Sequence, residues 1–350
     1  MYDNCNQRSE PARGWQPKAA KSELGPQELI EVEATEPKHA KPLLTVEQQI
    51  AHLKAKGVTF DLCTEDEAAA YLLGKCQFFK VVAYRELFDK HDDGERAGCY
   101  IGLDFAHLKL LAGIDRRLRD ALLPMTLDVE HFASANLLAE VEAHDEDGYA
   151  IMSDYLESVS PGRRRYIENE LDVRSNDVYC GAVIRKYRSE MPIWAFCEVV
   201  SFGTFIGLMK FCAERWDDRR ILADHYLIKK AKSVRNASAH SQCILNDLSE
   251  QAAKGERVTP AVVQAIAECG VPKRLRSKKL KSPRMVQIST LLYQYAALVP
   301  EGDTRAERKA QIAAFFRHFD ENAGILPAEN PAVSSIEFMR RLTEGFNLLD

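Results

Sequence analysis

FAHLKLLAGIDRRLRDALLPM, residues 105–125, shows the pattern by which the rest of the chain is read. Leu108, Leu111, Ile114, Leu118 and Leu122 recur at spacings of three and four, so they form one stripe of a helix that is expected to end near Pro124. The same period recurs on both sides. In LLTVEQQIAHLKAKGV, Leu43, Val46, Ile50 and Leu53 share a face, with Thr45 placed as N-cap and Gly57 at the exit. TEDEAAAYLLGKCQFFKVVAYRELF reads as a helix capped by Thr64, with three acids in its first turn and a break near Gly74. VEHFASANLLAEVEAH is another amphipathic run. Residues 191–216, MPIWAFCEVVSFGTFIGLMKFCAERW, are the most apolar part and read as a buried helix interrupted around Ser201–Gly203. A long helix is expected over 224–249, and shorter ones near 260–269, 285–298, 305–318 and 334–348. Residues 91–100 read as a loop and 144–175 as polar and irregular. Runs of alternating β-branched residues are scarce and no long repeat is visible, so the fold class is all-α.

Composition narrows the function. The chain has 350 residues, 46% of them apolar and 28% charged, which excludes collagen-like and wholly disordered classes. With 47 basic against 52 acidic residues the net charge is −5, so any attraction to nucleic acid must come from local patches. The nine cysteines form no C-x-x-C pair, which argues against a disulfide framework or a zinc site and for a reducing cytoplasm. No apolar stretch is long enough to span a membrane, and the N-terminus lacks the apolar run of a signal peptide. Residues 1–42 hold five prolines and few large aliphatics, and read as a flexible leader.

Phosphate-loop, dinucleotide, zinc-protease and nucleophile-elbow motifs are absent, and the nine histidines show no ligand-like pairs, so neither metal nor cofactor is expected. One constellation remains. In KSVRNASAH, Arg235, Asn236 and His240 lie on one expected helix, the last two a turn apart on the same face. RNA carries its own nucleophile, the ribose 2′-OH, so a protein that cuts it need only move protons and stabilise charge. Histidine titrates near neutrality and suits the first task. Arginine stays cationic and grips phosphate oxygens in a bidentate manner, which suits the second. A structural helix with a surface arginine and a capping asparagine fits the same residues.

The run also resembles the R-x(4–6)-H motif of HEPN domains, an all-α ribonuclease fold. More specifically the chain resembles the Abi family of phage abortive-infection proteins, of the AbiD/AbiF type. PLLTVEQQIAHLKAKGV, KCQFFKVVAYRELF, FAHLKLLAGIDRRLRDALL (through Asp115, Arg116, Leu118 and Arg119), PIWAFCEVVSFGTFIGLMKF and KSVRNASAHSQCILN follow that family's blocks in order over residues 42–250. The chain departs from the pattern at Cys76-Gln77-Phe78-Phe79, where Asn-Tyr-Tyr is usual, at Phe205, and at Ser241, where a second histidine is frequent. The resemblance implies an N-terminal helical extension over 43–105, a HEPN-like core over 106–250 carrying the motif, and C-terminal helices over 251–350. It further implies a metal-independent endoribonuclease toxin, a composite active site across a homodimer, and association with a small structured noncoding RNA. A non-catalytic protein that holds such an RNA is the alternative, and a scaffold that needs no RNA a third.

Other residues carry two readings each. Glu198, inside an apolar run, either orients Arg235 or faces solvent. Ser201-Phe202-Gly203-Thr204 is a substrate-shaping kink or a plain helix break. Lys273, Arg274, Arg276, Lys278, Lys279, Lys281 and Arg284 form a run with no intervening acid, hence a phosphate-contacting strip or a solvated loop. Arg163–Arg165 and the Arg185–Arg188 cluster could extend that strip. Tyr71, Phe78, Phe79 and Tyr84 stack bases or fill the core.

Overall fold

The computed structural model describes residues 43–246, 248 and 257–349. The expected leader at 1–42 lies outside the described residues. The chain runs through α1 (Val46–Ala55), α2 (Glu65–Gly74), α3 (Phe78–Val81), a 3-10 segment (Val82–Leu87), α4 (Phe105–Ala143), α5 (Ala150–Ser158), α6 (Pro161–Arg174), α7 (Gly181–Lys186) and α8 (Ile193–Val199). It continues through α9 (Phe202–Arg215), α10 (Arg219–Ala239), α11 (Pro260–Glu268), α12 (Lys273–Lys279), α13 (Pro283–Leu298), α14 (Asp303–Asn322) and α15 (Pro331–Gly345). Among the described residues there is no strand, and the fold is all-α. None of these helices is long and apolar enough to cross a membrane.

α10 sits at the centre, packed against α4, α9 and α13. Its buried residues Ile221, His225, Leu227, Ile228, Ala231, Val234 and Ser238 wrap around the helix, and the later ones are small, which lets neighbours approach closely. α14 lies along α4, and α13 touches both α4 and α10.

Capping follows the sequence closely. Thr45 and Thr64 each close a capping box, with Gln48 and Glu67 answering from the first turn. Gly57 takes φ +80°, and a Cβ there would stand 2.9 Å from the Cβ of Cys99, so both conformation and space require glycine. Leu43, expected on the α1 face, is instead exposed, while Ile50 and Leu53 are buried.

Three expectations are corrected. α4 does not stop at Pro124 but runs on to Ala143, 39 residues in all. Proline removes one backbone donor, yet Leu122, Met125, Thr126 and Val129 are buried on either side, and the Thr126 hydroxyl donates to the Leu123 carbonyl at 2.6 Å. Tertiary packing thus holds a helix that local preference would break. Residues 144–175 are not irregular but mostly helical, holding all of α5 and α6, the latter opened by the Ser160 cap and Pro161. Their apolar stripes, Ile151/Met152/Tyr155 and Ile167/Leu171, are too narrow to stand out from a polar background. The helix expected over 224–249 begins earlier and ends at Ala239. The break expected at Ser201–Gly203 is present, with α8 and α9 separated by the extended pair Val200 and Ser201. Glu170 of α6 holds it, accepting from the Ser201 N–H and, at 2.6 Å, from the Thr204 hydroxyl.

Asp104 joins the N-terminal helices to α4. Its carboxylate caps α4 at Ala106 N (2.8 Å) and also accepts from Thr59 Oγ1 (2.8 Å), Asp61 N (2.8 Å) and Leu62 N (3.3 Å). Burial by itself would raise this carboxyl, but the four donors together hold it below the ordinary aspartate value. Asp104→Ala should therefore cost about 2 kcal/mol in urea denaturation, since a cap and buried donors are both lost. Because the folded value is depressed, the advantage of wild type over Asp104→Asn is complete above the unfolded value of about 3.9. It should vanish as pH falls below that value through the lower folded one, so the two stabilities converge in acid.

Candidate functional site

The Arg-Asn-Ala-Ser-Ala-His segment ends α10. Arg235 is half-buried and its Nε stands 3.9 Å from Glu130 Oε2 of α4. Neither of those two atoms makes a hydrogen bond, so the pair is an electrostatic neighbour relation rather than a locked fork. Burial pushes the Glu130 carboxyl up and Arg235 pulls it down. Arg235 Nη1 donates to Asn236 Oδ1 at 3.3 Å. His240 is the C-cap and is exposed.

The helix ends in a full Schellman turn. Ser241 takes φ 53°, its N–H donates to Ser238 O (3.0 Å), and Gln242 N–H donates to Ala237 O (2.8 Å). A serine in that conformation is held from outside. Ile244 and Leu245 donate their N–H groups to Asp115 Oδ1 at 2.7 and 2.6 Å. Arg119, one turn along α4, pairs with the other Asp115 oxygen and donates to Gln242 O at 3.1 Å. Arg284, at the start of α13, donates to Cys243 O at 2.7 Å. Burial raises the Asp115 carboxyl against the pull of Arg119 and the two N–H groups. Tyr84, wholly buried, lies beside Asp115 and Cys243, and burial pushes its phenol far above the ordinary tyrosine value.

Held this way, residues 240–243 face α3 and the α2–α3 connection across a cleft of about 710 Å³. Lys75, Lys80, Arg284 and His240 line it, and among the described residues its lining holds no carboxylate. Asn236 opens on a different cleft of about 680 Å³, where Lys229, Lys232 and Arg257 gather with Tyr226. The motif therefore straddles two positive clefts, with Arg235 between α4 and α10.

Glu198 does not orient Arg235. α8 turns Ile193, Ala195, Phe196 and Val199 inward, which leaves Glu198 exposed, and the carboxylate beside Arg235 is Glu130. Sequence reasoning missed Glu130 because it lies on another helix, with no signal linking the two. The basic run is not a solvated loop either. Most of it is α12, and Lys279 is buried with its ammonium on Ser334 Oγ (2.6 Å) and Ser335 Oγ (2.9 Å). Arg276 is tied to Val271 O at 2.9 Å, while Lys273, Arg274, Lys278 and Lys281 are exposed. Arg284 is the one of these seven that lines the His240 cleft. Arg163 donates to Thr204 Oγ1 at 3.3 Å, Arg164 pairs with Glu168 and Arg188 with Asp172. The aromatics divide. Tyr84 is core, Tyr71 and Phe78 pack edge-on against Phe105 and His52, and Phe79 is exposed. Lys75 and Lys80 were also missed, since some 160 residues separate them from His240.

Asp115→Ala would leave Arg119 buried without its carboxylate and two N–H groups unmet. It should cost about 3–5 kcal/mol in urea denaturation. Adding Arg119→Met should recover part of that loss, because the unpaired buried charge is then gone while the two donors stay unmet.

The family model for Abi-like proteins matches residues 71–246, half of the chain, from α2 through the segment clamped by Asp115. Neither the curated proteins nor the solved structures give a match.

Proposed function

As the chain belongs to the Abi-like protein family, we propose that it serves phage abortive infection by cutting RNA, with His240 moving the proton and Arg235 stabilising the phosphate. Family membership supports the abortive-infection role. The nuclease reading rests above all on one observation: an exposed histidine at the rim of a cleft lined by three cations and no described carboxylate, five residues after an arginine that is not locked in a fork.

In the proposed reaction the ribose 2′-oxygen attacks the adjacent phosphorus and the bond to the 5′-oxygen breaks, leaving a 2′,3′-cyclic phosphate and a 5′-hydroxyl. The 2′-OH must lose a proton and the leaving oxygen must gain one. His240 is suited to either transfer, and Arg235 to the charge that builds on the non-bridging oxygens. Lys75, Lys80 and Arg284 hold the strand by its phosphates. One histidine serves one transfer at a time, so a second copy of the chain supplies the other and the working unit is a homodimer. The exposed cations of α12 and the Asn236 cleft offer further surface for a structured noncoding RNA.

His240→Ala and Arg235→Ala should each lower cleavage by about 10²–10³ and abolish toxicity in cells, with the circular-dichroism spectrum and melting unchanged for the exposed His240. Cleavage should persist in EDTA and leave cyclic phosphate ends. A folded His240→Ala protein that remains fully toxic overturns the reading, and wild-type protein that binds RNA without ever cutting it points to a holding role instead. Light scattering of the RNA-bound protein should give about twice the 39.5 kDa chain mass plus the mass of the RNA. A monomer that still cuts would remove the two-copy argument.

A further inference from the structure

We propose that Phe79 is the stacking platform for an unpaired base in the His240 cleft, so that this site takes single-stranded RNA and rejects duplex. The proposal rests on the reading of that cleft as an RNA site and adds which form of RNA enters it.

α3 is a single turn whose residues divide sharply. Val81 is wholly buried and Phe78 is half-buried with its ring edge-on to His52, while Phe79 is 87% exposed. A lone exposed apolar residue is ordinary on a protein surface and by itself signals nothing. Phe79 is not alone in that sense. It lines the same cleft as His240, between Lys75 and Lys80 in sequence and with Arg284 in the same lining. Lys75 and Lys80 have no carboxylate within ion-pairing distance among the described residues, and no ring or cation lies over Phe79. Tyr226, the aromatic of the second cleft, differs on this point: Lys229 already sits 5.8 Å from its ring centre and His225 packs edge-on against it.

A free aromatic face beside unpaired cations is the arrangement that holds single strands, with the ring taking a base and the cations the backbone. Only an unpaired base has a face to offer, because stacking in a duplex covers both sides. Size agrees. The cleft, at about 710 Å³, falls in the range of roughly 300–1,000 Å³ that holds a small molecule, enough for one nucleotide and its phosphates but not for a helix of paired bases. An unpaired nucleotide also suits the chemistry, since the 2′-oxygen must swing into line behind the phosphorus, which a stacked and paired residue resists.

The test uses the full chain with His240→Ala to prevent cutting, and a short single-stranded RNA carrying one 2-aminopurine, with its duplex as control. Stacking on Phe79 should quench the 2-aminopurine emission, and the duplex should bind far more weakly. Phe79→Ala should abolish the quench and weaken binding by roughly 5- to 150-fold, the range for one lost base–aromatic stack. Phe79→Trp should restore both, whereas Phe79→Leu, apolar but without a π-face, should not. Lys75→Gln with Lys80→Gln should flatten the log–log salt dependence by about 1.4. Unchanged single-strand affinity in Phe79→Ala, or preference of the parent for duplex, overturns the proposal. The two readings fail separately. Quenching at Phe79 in a protein whose His240-intact form never cuts RNA upholds the platform and sinks the nuclease, while normal cutting by a Phe79→Ala protein of unchanged affinity does the reverse.

Discussion

Asp115 lies wholly buried on α4, and a carboxylate there is tolerated because three neighbours answer it. Arg119 supplies the opposite charge from one turn away, and the Ile244 and Leu245 N–H groups supply hydrogen bonds from the far side of the core. The same pair therefore closes the account of α4 and anchors the chain that leaves α10. Without it, the Ile244 and Leu245 N–H groups would be unmet, and the turn through the left-handed Ser241 would lose its anchor on α4. His240 owes its place at a cleft edge to that anchor, because the Schellman turn ends the helix at the point where the histidine becomes exposed.

The cleft that results is assembled from three distant parts of the chain. Lys75 comes from the end of α2 and Lys80 from α3, His240 from the end of α10, and Arg284, whose guanidinium also fixes Cys243, from α13. An overall acidic protein thereby acquires a local field of the opposite sign, which is what anionic substrates respond to. On the other side of α10 the ammonium of Lys232, in the second cleft, reaches over the start of α9 at Gly203. Glu170, not a local cap, satisfies the α8–α9 break.

Positive residues in this fold do very different work at equal exposure to the eye of a sequence reader. Lys279 sits among six other cations, yet its ammonium is buried on two serine hydroxyls of α15. Arg119 sits in Arg-Arg-Leu-Arg and is the buried member, while Arg116 beside it pairs with Asp120 on the surface. Burial separates structural cations from those available to a phosphate, and burial depends on what the rest of the chain brings to each helix face.

From its sequence alone this protein is all-α, with caps at Thr45 and Thr64, a break near Ser201 and a motif at Arg235, Asn236 and His240. These features are local: helical period, capping boxes and breaks are set by residues within a turn or two of one another. The family blocks were legible for the same reason, since each is a short contiguous run. Everything that depends on partners far along the chain was decided by tertiary structure. Packing carries α4 through Pro124, Asp115 ends α10 at Ala239 where its apolar pattern continues, and Glu130 takes the place beside Arg235 that Glu198 could not reach. The lysines facing His240, and the one aromatic of four left fully exposed, follow from which helix faces pack together, a non-local outcome that no window of the sequence encodes.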